Sequence, residues 1–267
     1  MSSDPRLGNR TILTSAVLYA VAFLLTTILH ESAHFVVAGA LGRHPILFHS
    51  SVASDEIGTS ATVLTKLAGP LFSAVQGVIL LAVERRIRHF PPHFRLLIAW
   101  LAFHGWMNAT GYLFSAAFAP VGDIGSILRL LELPWWVSLA VSGIGFWTIR
   151  ASVGLLYPSF AALLPVETRN DTATRNRALI RLAVLAWPIG VVLVLPSSWP
   201  FPAWISAFYV VIAGIGAVWF TEFSKRGAAV PPCEPVPDTL PWWPAVALGL
   251  LTALNLTILR HGVPFPW

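Results

Sequence analysis

Charge is what this chain lacks most. Asp, Glu, Lys and Arg make up only 11% of its 267 residues, against about a quarter in a soluble domain. Hydrophobic residues make up 56% and the mean hydropathy is +0.71, which excludes an ordinary soluble globular protein and indicates a multi-pass membrane protein. A single cysteine, Cys233, excludes an internal disulfide framework and any Cys-rich zinc site. No internal repeat and no soluble domain is visible. The net charge of +5 is dispersed between apolar runs, so it is no footprint for nucleic acid.

What the chain has instead is a series of apolar runs. The first, residues 11–42, reads as one long helix that stops at Gly42 and the nearby Pro45. It is longer than the roughly 7–15 residues of a signal-peptide core and lacks a small-x-small cleavage site, so it is expected to be retained. Residues 43–60 are polar around a β-prone patch, 46–52, and predict a hairpin or re-entrant loop. Further spans are expected at 61–83, 96–118, within 134–165 (one kinked span or two short ones), up to about Leu195, at 202–223 and at 242–259. The predicted fold is therefore an all-α, polytopic membrane bundle of about six or seven transmembrane helices.

With seven spans, twelve Lys and Arg residues fall on one side and three (Arg43, Arg129, Arg260) on the other, and Lys66 and Arg150 inside spans complete the 17. The excess of positive charge on cytoplasmic loops then puts the N-terminus in the cytoplasm. Trp135-Trp136 and Trp242-Trp243 stand at span ends, as interfacial anchors do. The basic turn at 84–95 suits anionic lipid headgroups.

The first span carries His30, Glu31 and His34 in its apolar length. Ionisable groups at the centre of a membrane helix cost roughly 2.5–3.5 kcal/mol each, which marks them as functional. Histidines four apart share one helix face and can hold one zinc ion, and the glutamate beside them can act as base. Such an ion needs protein ligands that leave a position open for water. The alternative is a polar helix–helix contact inside the bundle. Apart from Glu31, Asp123 is the carboxylate closest to a span's apolar region, at the end of the third span. Spans one and three run the same way, so that end can meet the second half of span one. The alternative for Asp123 is a turn or helix-cap aspartate.

These residues resemble the site-2 proteases, which are intramembrane zinc metalloproteases. HESAH (residues 30–34) resembles the family's zinc-binding helix, KLAGPLFSA (66–74) its Ala-Gly-Pro helix, and FAPVGDIG (118–125) its Pro-rich approach to the aspartate ligand. The resemblance covers about residues 11–130 and implies a catalytic core there, with additional transmembrane helices over 131–267. What the chain resembles is a minimal form of the family, expected to carry no PDZ or CBS domain. It implies Zn2+ held by His30, His34 and Asp123, Glu31 as catalytic base, and a transmembrane protein or peptide as substrate, taken up as a strand along 46–52. The family's Leu-Asp-Gly is here Gly122-Asp123-Ile124, and serines stand at 73 and 115 where asparagines are common, with Asn108 two turns earlier. These departures fall on substrate-clamping and oxyanion-stabilising groups. The resemblance also implies a zinc helix entering from outside, opposite to the charge bias.

The remaining polar groups have plainer expectations. Arg150 needs a partner such as Glu132 or a wet cavity, and Lys66 is expected to snorkel. His44 and His49 read as surface histidines, His104 as a packing histidine and Cys233 as incidental. Two other function classes compete with the protease: a non-proteolytic membrane scaffold or regulator of the same fold, and a transporter with an intramembrane metal or proton site. The second would show paired broken helices in two matching halves, which the chain lacks.

Overall fold

The computed structural model describes residues 7–55, 58–119, 121–198, 204–225 and 233–266, with the main chain alone at 198 and 204–211. Pro120 of the 118–125 motif, residues 230–232 of the Pro-rich linker, and the basic residues Arg6 and Arg226 lie outside the described residues.

The fold is an all-α helical bundle with one small sheet. The long helices are α1 (Asn9–Ala40), α2 (Thr59–Arg86), α3 (Pro92–Ser115), α5 (Trp135–Ala161), α8 (Ala186–Val194), α9 (Trp204–Ser224) and α10 (Trp242–Thr257). The short ones are α4 (Asp123–Leu130), α6 (Val166–Arg169) and α7 (Thr172–Leu179). A π-helical turn, Ile180–Val184, joins α7 to α8, making a continuous helical span. Among the described residues, five helical stretches are long and apolar enough to cross a membrane: Asn9–Ala40, Thr59–Arg86, Trp135–Ala161, Thr172–Ser197 and Trp242–His261.

Helix α1 stops where a glycine permits it. Gly42 adopts φ +70°, and the amides of Gly42 and Arg43 donate to the carbonyls of Gly39 and Ala38 at 2.9 and 3.0 Å. This is the left-handed C-terminal motif that a Cβ disfavours. Helix α5 is a single helix through Pro158. Prolines stand directly before α3, α5, α6 and α10, where their missing N–H costs no helical bond.

Helices α1 and α3 hold the centre. Trp100, Phe103, Tyr19 and Phe160 are fully buried, and Trp100 meets the other three edge to face. Helix α3 crosses α2 closely because both present glycine: a Cβ on Gly105 would lie 2.8 Å from the Gly77 nitrogen and the Ser73 carbonyl. That crossing presses the first half of α2 against α1.

The predicted β-prone patch forms a hairpin, β1 (Ile46–Phe48) and β2 (Ser51–Ala53), paired from Ile46↔Ala53 to Phe48↔Ser51. A third strand, β3 (Val263–Pro264), adds to β1 with Leu47↔Val263, so the sheet order is β2-β1-β3. One edge of the hairpin is thereby covered and β2 keeps the other.

Candidate metal centre

His30 and His34 lie one turn apart on the inner face of α1, 1% and 6% exposed. Their Nε2 atoms are 3.0 Å apart, and Oδ2 of Asp123, the first residue of α4, lies 3.1 Å from each. Among the described residues these three form a group able to hold a metal ion. The triangle of edge about 3 Å is within a few tenths of an ångström of the roughly 3.3 Å that separates ligand atoms around a tetrahedral zinc ion.

The opposite sides of the rings explain why lone pairs face inward. His34 Nδ1 lies 2.6 Å from the carbonyl of Thr65. A carbonyl can only accept, so Nδ1 carries the proton and Nε2 a lone pair. Ser73 Oγ, 3.1 Å from His30 Nδ1, can accept from the same tautomer there. In that neutral tautomer two imidazole lone pairs and a carboxylate oxygen converge at hydrogen-bond distance. That donor set fits a cation, and the bonds behind the rings are those that orient metal-binding histidines.

Helix α2 builds this backing at every fourth residue. Thr65, Gly69 and Ser73 share one face: Thr65 accepts from His34, Ser73 meets His30, and Gly69 leaves the room the rings occupy. A Cβ at Gly69 would lie 2.3 Å from His34 Nε2 and 2.6 Å from His30 Nε2. Pro70 has no N–H to return to the carbonyl four residues back, so α2 is loosened at this turn. Tyr112 of α3 stacks flat on His30, at 5.2 Å and 8°.

A cavity of about 500 Å³ opens from this group, lined by Glu31, His34, Lys66, Tyr112, Asp123 and the β2 residues Ser51, Val52 and Ala53, among others. Glu31 is 7% exposed. The four residues anticipated from sequence, His30, Glu31, His34 and Asp123, are thus brought together. Of the open candidates, Ser73 joins the site through His30. Ser115 is buried with its Oγ 3.4 Å from the Tyr112 carbonyl, and Asn108 is buried on α3. Neither is among the residues lining the cavity.

Among the plainer expectations, those for His44 and His104 hold and those for Lys66, Arg150 and His49 need correction. Lys66 does not simply snorkel: its Nζ lies 4.0 Å from Asp123 Oδ1, because the turn that holds Thr65 against His34 points the next side chain along the cavity wall. Arg150 pairs with Glu222 at 2.7 Å, not with Glu132, because α5 packs against α9. His44 is exposed and pairs with Asp55 at 2.9 Å, whereas His49 is buried at 9% exposure in the hairpin turn. His104 is a packing histidine, ringed by Tyr19, Phe23 and Trp100. Sequence reasoning missed Thr65 and Tyr112. The four-residue spacing of Thr65, Gly69 and Ser73 was available as a signal, but no sequence pattern pairs that face with α1.

Comparison with protein families, curated proteins and solved structures finds no match to this chain.

Proposed function

We propose that the protein is an intramembrane zinc endopeptidase of the site-2-protease type, hydrolysing a peptide bond in or beside a transmembrane segment of a membrane-protein substrate. The observation that carries this is the convergence of His30 Nε2, His34 Nε2 and Asp123 Oδ2 on one point, at the wall of a cavity that Glu31 also lines. His30, His34 and Asp123 would hold the ion. Bound there, zinc supplies Lewis-acid chemistry, lowering the pKa of water and polarising a carbonyl.

The chain's own residues do the rest. Glu31 takes a proton from the attacking water and passes it to the departing amine nitrogen. Thr65 and Ser73 hold the two rings in the ligand tautomer. The cavity admits water to a site whose helices are otherwise apolar outside, so the protein sits in a lipid bilayer as an integral, multi-pass protein, with the cell membrane its expected home. A substrate helix cannot offer carbonyls that are bonded within it. It must unwind, and the uncovered edge of β2 at the cavity provides main-chain partners for the extended segment.

The test pairs metal analysis with cleavage of a panel of single-span membrane peptides in reconstituted vesicles, wild type against Glu31→Gln. About one zinc per chain is expected in both, with cleavage lowered about 10²–10⁴-fold in the variant. Equal cleavage by the variant would remove Glu31 from the mechanism, and wild type without zinc would remove the mechanism itself.

A further inference from the structure

Peptide hydrolysis builds negative charge on the scissile carbonyl oxygen, and an active site needs a donor aimed at that charge. Two cationic side chains line the cavity, Arg43 and Lys66. Arg43 is committed to the fold: it is 3% exposed and donates to the carbonyls of Asp55 and Ala61 and to Thr65 Oγ1. Lys66 is different. Its side chain is 38% exposed, and its Nζ stands 4.0 Å from Asp123 Oδ1, an ionic approach longer than a hydrogen bond. The oxygen it faces is the one that Asp123 does not turn to the histidines. It is one of only two lysines in the chain, set in an apolar helix where a charge is expensive. An ammonium on a flexible stem is a compact point charge with three rotatable donors, suited to meet an oxygen whose charge grows during reaction.

We propose that Lys66 is a catalytic residue, the electrophile that receives the negative charge on the carbonyl oxygen; the assignment rests on the proteolytic reading above. As the water oxygen bonds to the carbonyl carbon, the carbonyl π pair moves onto the oxygen facing the Lys66 ammonium, while Glu31 holds the water's proton. When the C–N bond breaks, that pair re-forms the carbonyl and the amine leaves with the proton from Glu31. Lys66 gives up no proton in this sequence, so the fixed charge and its reach are what matter.

Cobalt-loaded wild type, Lys66→Met and Lys66→Arg distinguish this role from the alternatives. Each is titrated with acetohydroxamate, an anionic probe for the open position beside the ligands, and followed by the visible cobalt spectrum. Cleavage of the membrane-peptide panel is measured alongside. About one cobalt per chain is expected in all three. Acetohydroxamate should bind Lys66→Met at least about 10-fold more weakly than wild type and Lys66→Arg within about 3-fold. The methionine variant should lose about 10²–10³ in kcat with KM little changed, as removal of a transition-state donor does. Unchanged anion binding and kcat in Lys66→Met would overturn the proposal and leave the metal site standing. Loss of cobalt from Lys66→Met would also overturn it, by showing that the lysine acts through Asp123. Failure of wild type to take up cobalt would overturn the metal reading, and the Lys66 role with it.

Discussion

The two ends of the bundle use polar residues in opposite ways. At the end holding the C-termini of α2, α5 and α9, arginines are consumed by main-chain carbonyls. Arg85 donates to Leu155, Arg169 to Ala162, Leu164 and Cys233, Arg181 to Leu7, and Arg175 to Ser224. Of these acceptors Ala162, Leu164 and Ser224 lie at or just past the C-termini of α5 and α9, which leave carbonyls without partners and carry partial negative charge, so cations collect there. At the other end, between α1, α2, α4 and the hairpin, His30, His34 and Asp123 turn their ligand atoms toward one another instead. A polar group at the first end completes the fold, and at the second it is left available for chemistry. The charge bias read from sequence is therefore partly a record of where helices end. It carries a testable expectation: the charge bias predicts the basic end in the cytoplasm and the His30–His34–Asp123 end on the opposite side, against what the family resemblance implies.

The orientation gives the largest expected effect, because its outcome is all or none. Cys233 is the chain's only thiol, partly exposed at the basic end beside Arg169. A membrane-impermeant maleimide should label it in inverted membrane vesicles and leave it unlabelled in right-side-out ones. The reverse pattern would mean that the arginines are there for helix carbonyls alone and do not set orientation. Next in size is Gly69→Ala, at the His30–His34–Asp123 end. The added Cβ would lie 2.3 Å from His34 Nε2, and neither ring can retreat without losing Thr65 or Ser73. Metal affinity should fall by about 100-fold or more, while circular dichroism keeps its helical signal. Glu84→Gln tests the basic end. Glu84 and Arg95 pair at 2.6 Å with side chains 3% and 2% exposed, and breaking a buried pair costs about 3–5 kcal/mol. The thermal midpoint should drop, yet metal affinity of the folded fraction should not change. A change in affinity would show that the two ends are coupled through α2.

How much of this was legible in the sequence depends on distance along the chain. His30, Glu31 and His34 were readable because one helix turn brings them together, and Gly42 because a stop is a local event. Asp123 was readable only in part: its nearness to span one followed from span direction, but the turns at 116–118 and 121–122 that precede it are not written in any periodicity. The backing of the site was hidden for the same reason, since Thr65, Gly69 and Ser73 gain meaning only when α2 lies on α1. Arg150 had Glu132 as its named candidate, and only the packing of α5 on α9 reveals Glu222 as the partner. The strand β3 is two residues long with a proline in it, below the length at which a pattern exists.

The smallest expected effect sharpens the contrast between a buried polar group that the fold satisfies and one it does not. His49 sits in the turn between β1 and β2, and among the described residues neither ring nitrogen has a hydrogen-bond partner. Burial pushes its pKa below the ordinary histidine value, and the nearby Arg260 pushes it further the same way. A group whose folded pKa is depressed binds its proton more readily in the opened state, so it favours opening once pH falls below the opened-state value of about 6.5. The hairpin should therefore be most stable above about pH 6.5 and loosen as pH falls toward the depressed value. Hydrogen exchange of amides 46–53, corrected for intrinsic rates, should quicken between about pH 7 and pH 5, while amides in the middle of α1 hold steady. His49→Gln should flatten that dependence. If it does not, the acid sensitivity of the sheet comes from another group, and the exposed His44–Asp55 pair at the hairpin's base, 2.9 Å apart, is the next to test.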